Sequence, residues 1–288
     1  MNPLVIEFAS GRSFFYGMFI VVIACLLQLP SKTQITRAIL SVLAITGAVL
    51  VAFSATPMSL SLYILWSLLV IMELVMSEKR KTDVGKYRRV VLVFLTAISM
   101  LMFLLELPQH LTPGIPAPGN RTIYVVGDSI SSGIGPDIKV WPDVLRDEYK
   151  LKVENLAQPG ATVKTAIPQA QDIKDKNAFV LLEIGGNDLL GNDPDIKAFE
   201  SSLNELLTTV SEPERIVVMF ELPLIPFSNR FGLIQRELAK SHGVILIPKR
   251  YMAKVFGAPD STLDGLHLSE SGHKLMAATI WTLLTPEK

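Results

Sequence analysis

Ser129, Asp264 and His267 are the residues of this 288-residue chain whose types and spacing fit nucleophilic acyl chemistry. A serine hydroxyl attacks a carbonyl only when a base takes its proton, and a neutral imidazole is the usual base. A carboxylate three residues before the imidazole can hold its tautomer, so Asp264-Gly-Leu-His267 supplies both partners. Two further positions offer donors to a developing oxyanion: the backbone N–H of Gly160 and the side-chain amide of Asn187. With the Ser129 N–H they would form an oxyanion hole. Each residue also has a structural alternative. Ser129 reads equally as a helix cap, and Asp264 and His267 as turn and cap residues. Gly160 and Gly185 read as turn glycines with positive φ, and Asn187 and Asp188 as caps. Only a fold that brings all of them together separates the readings.

Beyond residue 121 the sequence alternates short apolar runs with amphipathic stretches. The runs Ile123–Val126, Leu151–Asn155, Ala178–Ile184, Ile216–Glu221 and Val244–Ile247 predict strands. Helices are expected near Trp141–Tyr149, Val163–Asp172, Asp195–Val210, Arg230–Ser241 and Ser269–Leu284. Five strands alternating with helices imply a parallel sheet covered on both faces. In such a sheet every strand ends on one edge, where ligands bind. That edge collects Gly127-Asp128-Ser129, then Gly160, then Gly185-Gly186-Asn187-Asp188, and finally Asp264 and His267.

Those four blocks, in that order, resemble the SGNH (GDSL-type) hydrolase family over about residues 121–285. The resemblance implies a three-layer α/β/α, flavodoxin-like domain that uses no metal and no cofactor. It implies Ser129 as nucleophile, His267 as base and Asp264 as its partner, with Ser129, Gly160 and Asn187 as oxyanion donors. Gly127, Asp128, Gly185, Gly186 and Asp188 support them. Esterase, lipase, thioesterase and carbohydrate O-deacetylase activities all occur in the family, so it leaves the substrate open.

The first third of the chain has a different character. Hydrophobic residues make up 49% of the whole, and most of the excess precedes Pro108. Four apolar segments, about 14–29, 35–53, 58–76 and 90–107, each approach the roughly 20 residues that cross a bilayer as a helix. Segments 1–107 therefore form an expected all-α transmembrane region of four spans. Pro108–Asn120 holds four prolines and two glycines and reads as a stiff linker to the domain 121–288. Glu78–Arg89 carries six Lys or Arg, and the loop before it, Ser54–Pro57, none. The positive-inside rule then sets both termini outside the plasma membrane. A cleaved signal peptide at 14–29 is a competing reading, but no small-x-small site follows it. Glu73 and Glu106, near span ends, read as interfacial anchors. Twenty-seven basic and 27 acidic residues balance, so nothing global favours nucleic acid. The single cysteine, Cys25, excludes an intrachain disulfide.

The expectation is a membrane-anchored serine esterase acting outside the plasma membrane on an acyl ester of a glycan or lipid. Leu222–Ser228 would line the acyl group. The alternatives are an acyltransferase that modifies a surface glycan, and a non-catalytic glycan-binding module.

Overall fold

The computed structural model describes residues 3–31, 33–77, 82–135, 138–191 and 193–285. The chain divides into two compact units. One comprises Glu7–Leu111 with Ile225–Asn229; the other comprises Thr112–Leu224 and the chain from Arg230 on, with the first six residues.

The first unit is built from helices: α1 (Pro3–Ala9), whose start belongs to the other unit, α2 (Arg12–Gln28), α3 (Gln34–Phe53), α4 (Leu60–Ser77) and α5 (Thr82–His110). Three stretches, Gln34–Phe53, Leu60–Ser77 and Lys86–His110, are long and apolar enough to cross a membrane. The first expected span is shorter: α2 has 17 residues and reaches the required length only jointly with α1, from which it is bent by 81°. The described residues thus hold three candidate spans, or four if that bent pair counts as one. α5 continues through Pro108 to His110. Phe14, Met18, Val21, Leu92 and Leu95 form the interior, while Phe19, Ile39, Ile64, Ile71 and Phe94 are exposed, as lipid-facing residues should be. α2 and α3 cross at Gly17 and Gly47, where an added Cβ would lie 2.5 and 2.7 Å from the opposite carbonyl oxygen. Small residues at such crossings let membrane helices approach closely.

The two carboxylates read as interfacial anchors turn inward, away from the helical unit's surface. Glu73 and Glu106 are 1% and 3% exposed. Glu73 Oε1 takes an ion pair from Arg88 Nη2 at 3.0 Å and a hydrogen bond from the Ser41 hydroxyl at 3.3 Å. Arg88 also donates to Gln28. Position along a span gives depth but not which way a side chain faces, and here α2, α3, α4 and α5 each contribute a polar group to one inward cluster of Gln28, Ser41, Glu73 and Arg88. Arg88 therefore leaves the expected loop-charge count; Lys79, Arg80 and Lys81 of that loop lie outside the described residues.

The second unit is an α/β domain. Its strands are β1 (Ile123–Gly127), β2 (Val153–Asn155), β3 (Phe179–Glu183), β4 (Ile216–Phe220) and β5 (Ile245–Ile247). All neighbours pair in parallel in the order β2-β1-β3-β4-β5. β1 and β3 are buried along their whole length, the pattern of a parallel strand covered on both faces. Helices connect them: α6 (Ser129–Ser132), α7 (Trp141–Asp147), α8 (Val163–Gln171), α9 (Gly186–Leu190), α10 (Ile196–Val210), α11 (Asn229–Ser241), α12 (Arg250–Gly257) and α13 (Glu270–Leu284). α7 packs with α13, and α8 with α10. Ile123 and Val125 join Trp141, Leu145, Met276 and Ile280 in one core cluster. The winding direction reverses between β1 and β3, the switch point at which such sheets open a crevice. α6 and α9 start on the two sides of that point.

Candidate active site

Gly127 ends β1 with no room for a side chain: an added Cβ would lie 2.7 Å from the Glu183 carbonyl oxygen and 2.8 Å from Ser131 Oγ. The chain then turns into the single-turn helix α6. Its cap is Asp128, whose Oδ1 accepts from the Ile130 N–H at 2.9 Å. Asp128 thus performs the capping role that Ser129 was the alternative candidate for. Ser129 is left as the first helical residue, 7% exposed. Gln169 of α8 grips Gly127 on both sides, accepting from its N–H at 3.0 Å and donating to its carbonyl at 3.1 Å. Asn155, ending β2, donates to the Ser131 carbonyl at 3.0 Å.

The turn after β3 lies beside this one. Gly185 has φ 110, where its Cβ would press on Leu222 and Phe199. Only glycine adopts that conformation without strain. Gly186 follows, with space for a Cβ 3.5 Å from Asp128 Oδ2. Asn187 Nδ2 reaches Asp128 Oδ2 at 3.3 Å and the Ala161 carbonyl at 2.8 Å. Asp188 does not cap α9; its Oδ2 accepts from the Val163 N–H at 2.9 Å, at the start of α8. Gly160 lies in the loop that leads there and has φ 73. The first three blocks are therefore joined by hydrogen bonds running Asp128–Asn187–Ala161 and Asp188–Val163.

The fourth block closes on itself. Asp264 Oδ1 accepts from the N–H groups of Leu266 and His267 at 2.9 and 2.8 Å. Its Oδ2 meets His267 Nδ1 at 2.7 Å. The hydrogen bond from the His267 ring, helped by these two N–H groups, holds the Asp264 carboxyl well below the usual carboxylate range. Burial raises the Asp128 carboxyl, partly offset by the Ile130 N–H and by the field of His267. That field couples the fourth block electrically to the first. Burial likewise raises Asp188.

Leu222 and Leu224 do not line a groove, because both are buried core residues at 4% and 0% exposure. Four contributors escaped the sequence reading: Gln169, Asn155, Ser131 and Glu183. Gln169 is the hardest to find, because it sits inside a helix; Asn155 at least ends a strand on the edge already singled out.

Three comparisons bear on these observations. No curated protein matches the chain. Among solved structures it is similar to one described as TesA, at 23% identity over 58% of this chain and 99% of that one, with a TM-score of 0.50. It is also similar to the psychrotrophic esterase EstA from Pseudoalteromonas sp., at 19% identity over 57% of this chain and 96% of that one, with a TM-score of 0.50. At these identities both establish a shared fold. The sequence model of the GDSL-like lipase/acylhydrolase family matches residues 125–275, which is just over half of the chain and includes all four blocks, so the chain belongs to that family of ester-hydrolysing enzymes.

Proposed function

We propose that the protein is a membrane-anchored serine esterase whose nucleophile is Ser129, acting at the outer face of the plasma membrane. The observation that carries this reading is the 2.7 Å bond between His267 Nδ1 and Asp264 Oδ2. With Nδ1–H given to a carboxylate that stays ionised, Nε2 keeps its lone pair and is free to act as base.

In this mechanism His267 Nε2 takes the Ser129 proton as Oγ attacks the ester carbonyl carbon. The carbonyl π pair moves onto oxygen, and the Ser129 and Gly160 N–H groups and Asn187 Nδ2 stabilise it. The longer Asn187 contact, 3.3 Å to Asp128, is the one released to the oxyanion. Collapse breaks the bond to the leaving alkoxide, which takes the proton from His267, and leaves an acyl-Ser129. Water, losing a proton to His267, attacks that ester; the bond to Ser129 Oγ breaks, Oγ takes the proton back from His267, and the acid is released.

Location follows from charge. Five Lys or Arg remain in 79–89 after Arg88 is set aside, against none in 54–57, which supports a cytoplasmic α4–α5 loop and an external α/β domain. The substrate would then be an acylated envelope glycan or lipid.

Full-length protein in detergent should cleave a short p-nitrophenyl ester. Ser129→Ala should lower kcat by about 10³-fold or more. A serine-directed phosphonate should label the wild type and not the variant; absence of both turnover and labelling overturns the reading. A periplasmic-type reporter fused to the C-terminus should be active only outside the cell, and cytoplasmic activity would reverse the orientation.

A further inference from the structure

Glu183 is enclosed at 3% exposure, yet no ion pair to it exists among the described residues. Its place in the sheet is specific. It is the last residue of β3, in register with Gly127 of β1, and Ser131 Oγ donates to its Oε2 at 2.7 Å. The Asp128 backbone N–H faces the same carboxyl. One side chain from β3 thus grips the turn that follows β1. Two residues beyond Glu183 begins the Gly185–Asp188 turn that carries Asn187.

We propose that Glu183 is a positioning residue for ester hydrolysis: its hydrogen bond from Ser131 locks the turn bearing Ser129 to the strand end bearing Asn187. Nucleophile and oxyanion donor come from two separate loops, and this bond ties α6 directly to β3. The inference rests on Ser129 being the nucleophile. Burial, and then the neighbouring Asp128 charge, raise the Glu183 carboxyl well above its ordinary value. A neutral amide should replace it, because a Gln carbonyl oxygen still accepts from Ser131.

The test uses the full-length chain in detergent, with kcat and KM for a short p-nitrophenyl ester and amide hydrogen exchange over residues 127–133. Small displacements of reacting groups cost about 10²-fold in rate, so Glu183→Ala should lower kcat by that order and leave KM within about twofold. Glu183→Gln should keep kcat within about fivefold, since hydrogen-bond geometry is retained. Ser131→Ala should reproduce most of the loss and add little to Glu183→Ala, as expected when two residues act as one contact. Exchange in 127–133 should quicken in Glu183→Ala and Ser131→Ala, and not in Glu183→Gln. Wild-type kcat in Glu183→Ala, a Gln variant as impaired as Ala, or unchanged exchange overturns the proposal. If Glu183→Ala does not fold, Ser131→Ala carries the same kinetic and exchange tests. Should Ser129→Ala stay active, the nucleophile assignment fails, while the exchange measurement still decides whether Glu183 holds the turn.

Discussion

Two buried carboxylates, one in each unit, are held in different ways. In the helical unit Glu73 meets a cation, Arg88, delivered from another helix at 3.0 Å. In the α/β unit Glu183 meets a serine hydroxyl instead, and burial raises its carboxyl. A third carboxylate, Glu221, follows the first pattern within the α/β unit, receiving Arg236 Nε at 2.7 Å and the Lys249 N–H at 3.0 Å. A buried carboxylate thus takes as its partner whatever the neighbouring elements supply, a cation or a hydroxyl. The difference also shows what holds each unit together. In the α/β unit apolar burial from water supplies the driving force. Lipid offers helices no such force, so packing and inward polar contacts must join them.

That contrast predicts the largest effect in the helical unit. Glu73→Leu leaves Arg88 buried with its charge uncompensated, and losing one partner of a buried pair costs about 3–5 kcal/mol. Thermal unfolding in detergent should show this drop. Adding Arg88→Met should recover most of it, since an apolar pair of similar volume is often neutral or better. If the double variant is no more stable than Glu73→Leu, the pair is not the clasp of this unit.

The same contrast explains what the sequence disclosed. Parallel strands buried on both faces are continuous apolar runs, so β1 and β3 are readable directly. The meeting of the Asp128 and Asn187 turns is readable too, because sheet topology sends strand ends to one edge whatever their sequence separation. Glu183 was hidden by the rule that revealed β3: a glutamate ending an apolar run reads as its boundary. α6 and α9, of four and five residues, are too short to show a helical period. Glu73 was misread because its partner lies across a hairpin and was counted among the loop charges.

Acid should expose the α/β unit's own sensitivity. His273 is fully buried; its Nδ1 accepts from the Trp141 N–H at 3.2 Å, and Nε2 has no partner among the described residues. Burial pushes this imidazole down to about 4 from 6.5. Between those pH values the unfolded chain binds a proton that the folded chain refuses, so stability falls as pH falls. The contribution is complete above pH 6.5, and about 3 kcal/mol is lost by pH 4. Asp128 and Glu183 act with the opposite sign. Their raised carboxyls bind protons more readily when folded, so acid relieves a cost present at neutral pH. His273→Asn, which keeps an acceptor for Trp141, isolates the histidine. Urea unfolding between pH 7 and 4 should show a smaller acid loss in the variant than in the wild type; parallel curves would remove His273 as the cause.

The smallest predicted effect tests the comparison most directly, because each unit contains a helix capped by a threonine hydroxyl. Thr33 Oγ1 accepts from the Thr36 N–H at 3.2 Å before α3, and Thr162 Oγ1 accepts from the Thr165 N–H at 3.3 Å before α8. A helix surrounded by water can fray when its cap is lost, and Thr162→Ala should cost the α/β unit about 1 kcal/mol. A helix in hydrocarbon has no comparable escape, because unpaired N–H groups there are far more costly than in water. Fraying at α3 is therefore confined to the one turn at its end, and Thr33→Ala should cost the helical unit less. Hydrogen exchange across the first two turns of α3 and α8 measures this locally, with a larger and longer-reaching increase expected in α8. An equal or larger increase in α3 would mean that helix-end chemistry, rather than the hydrocarbon and the inward polar contacts, holds the helical unit.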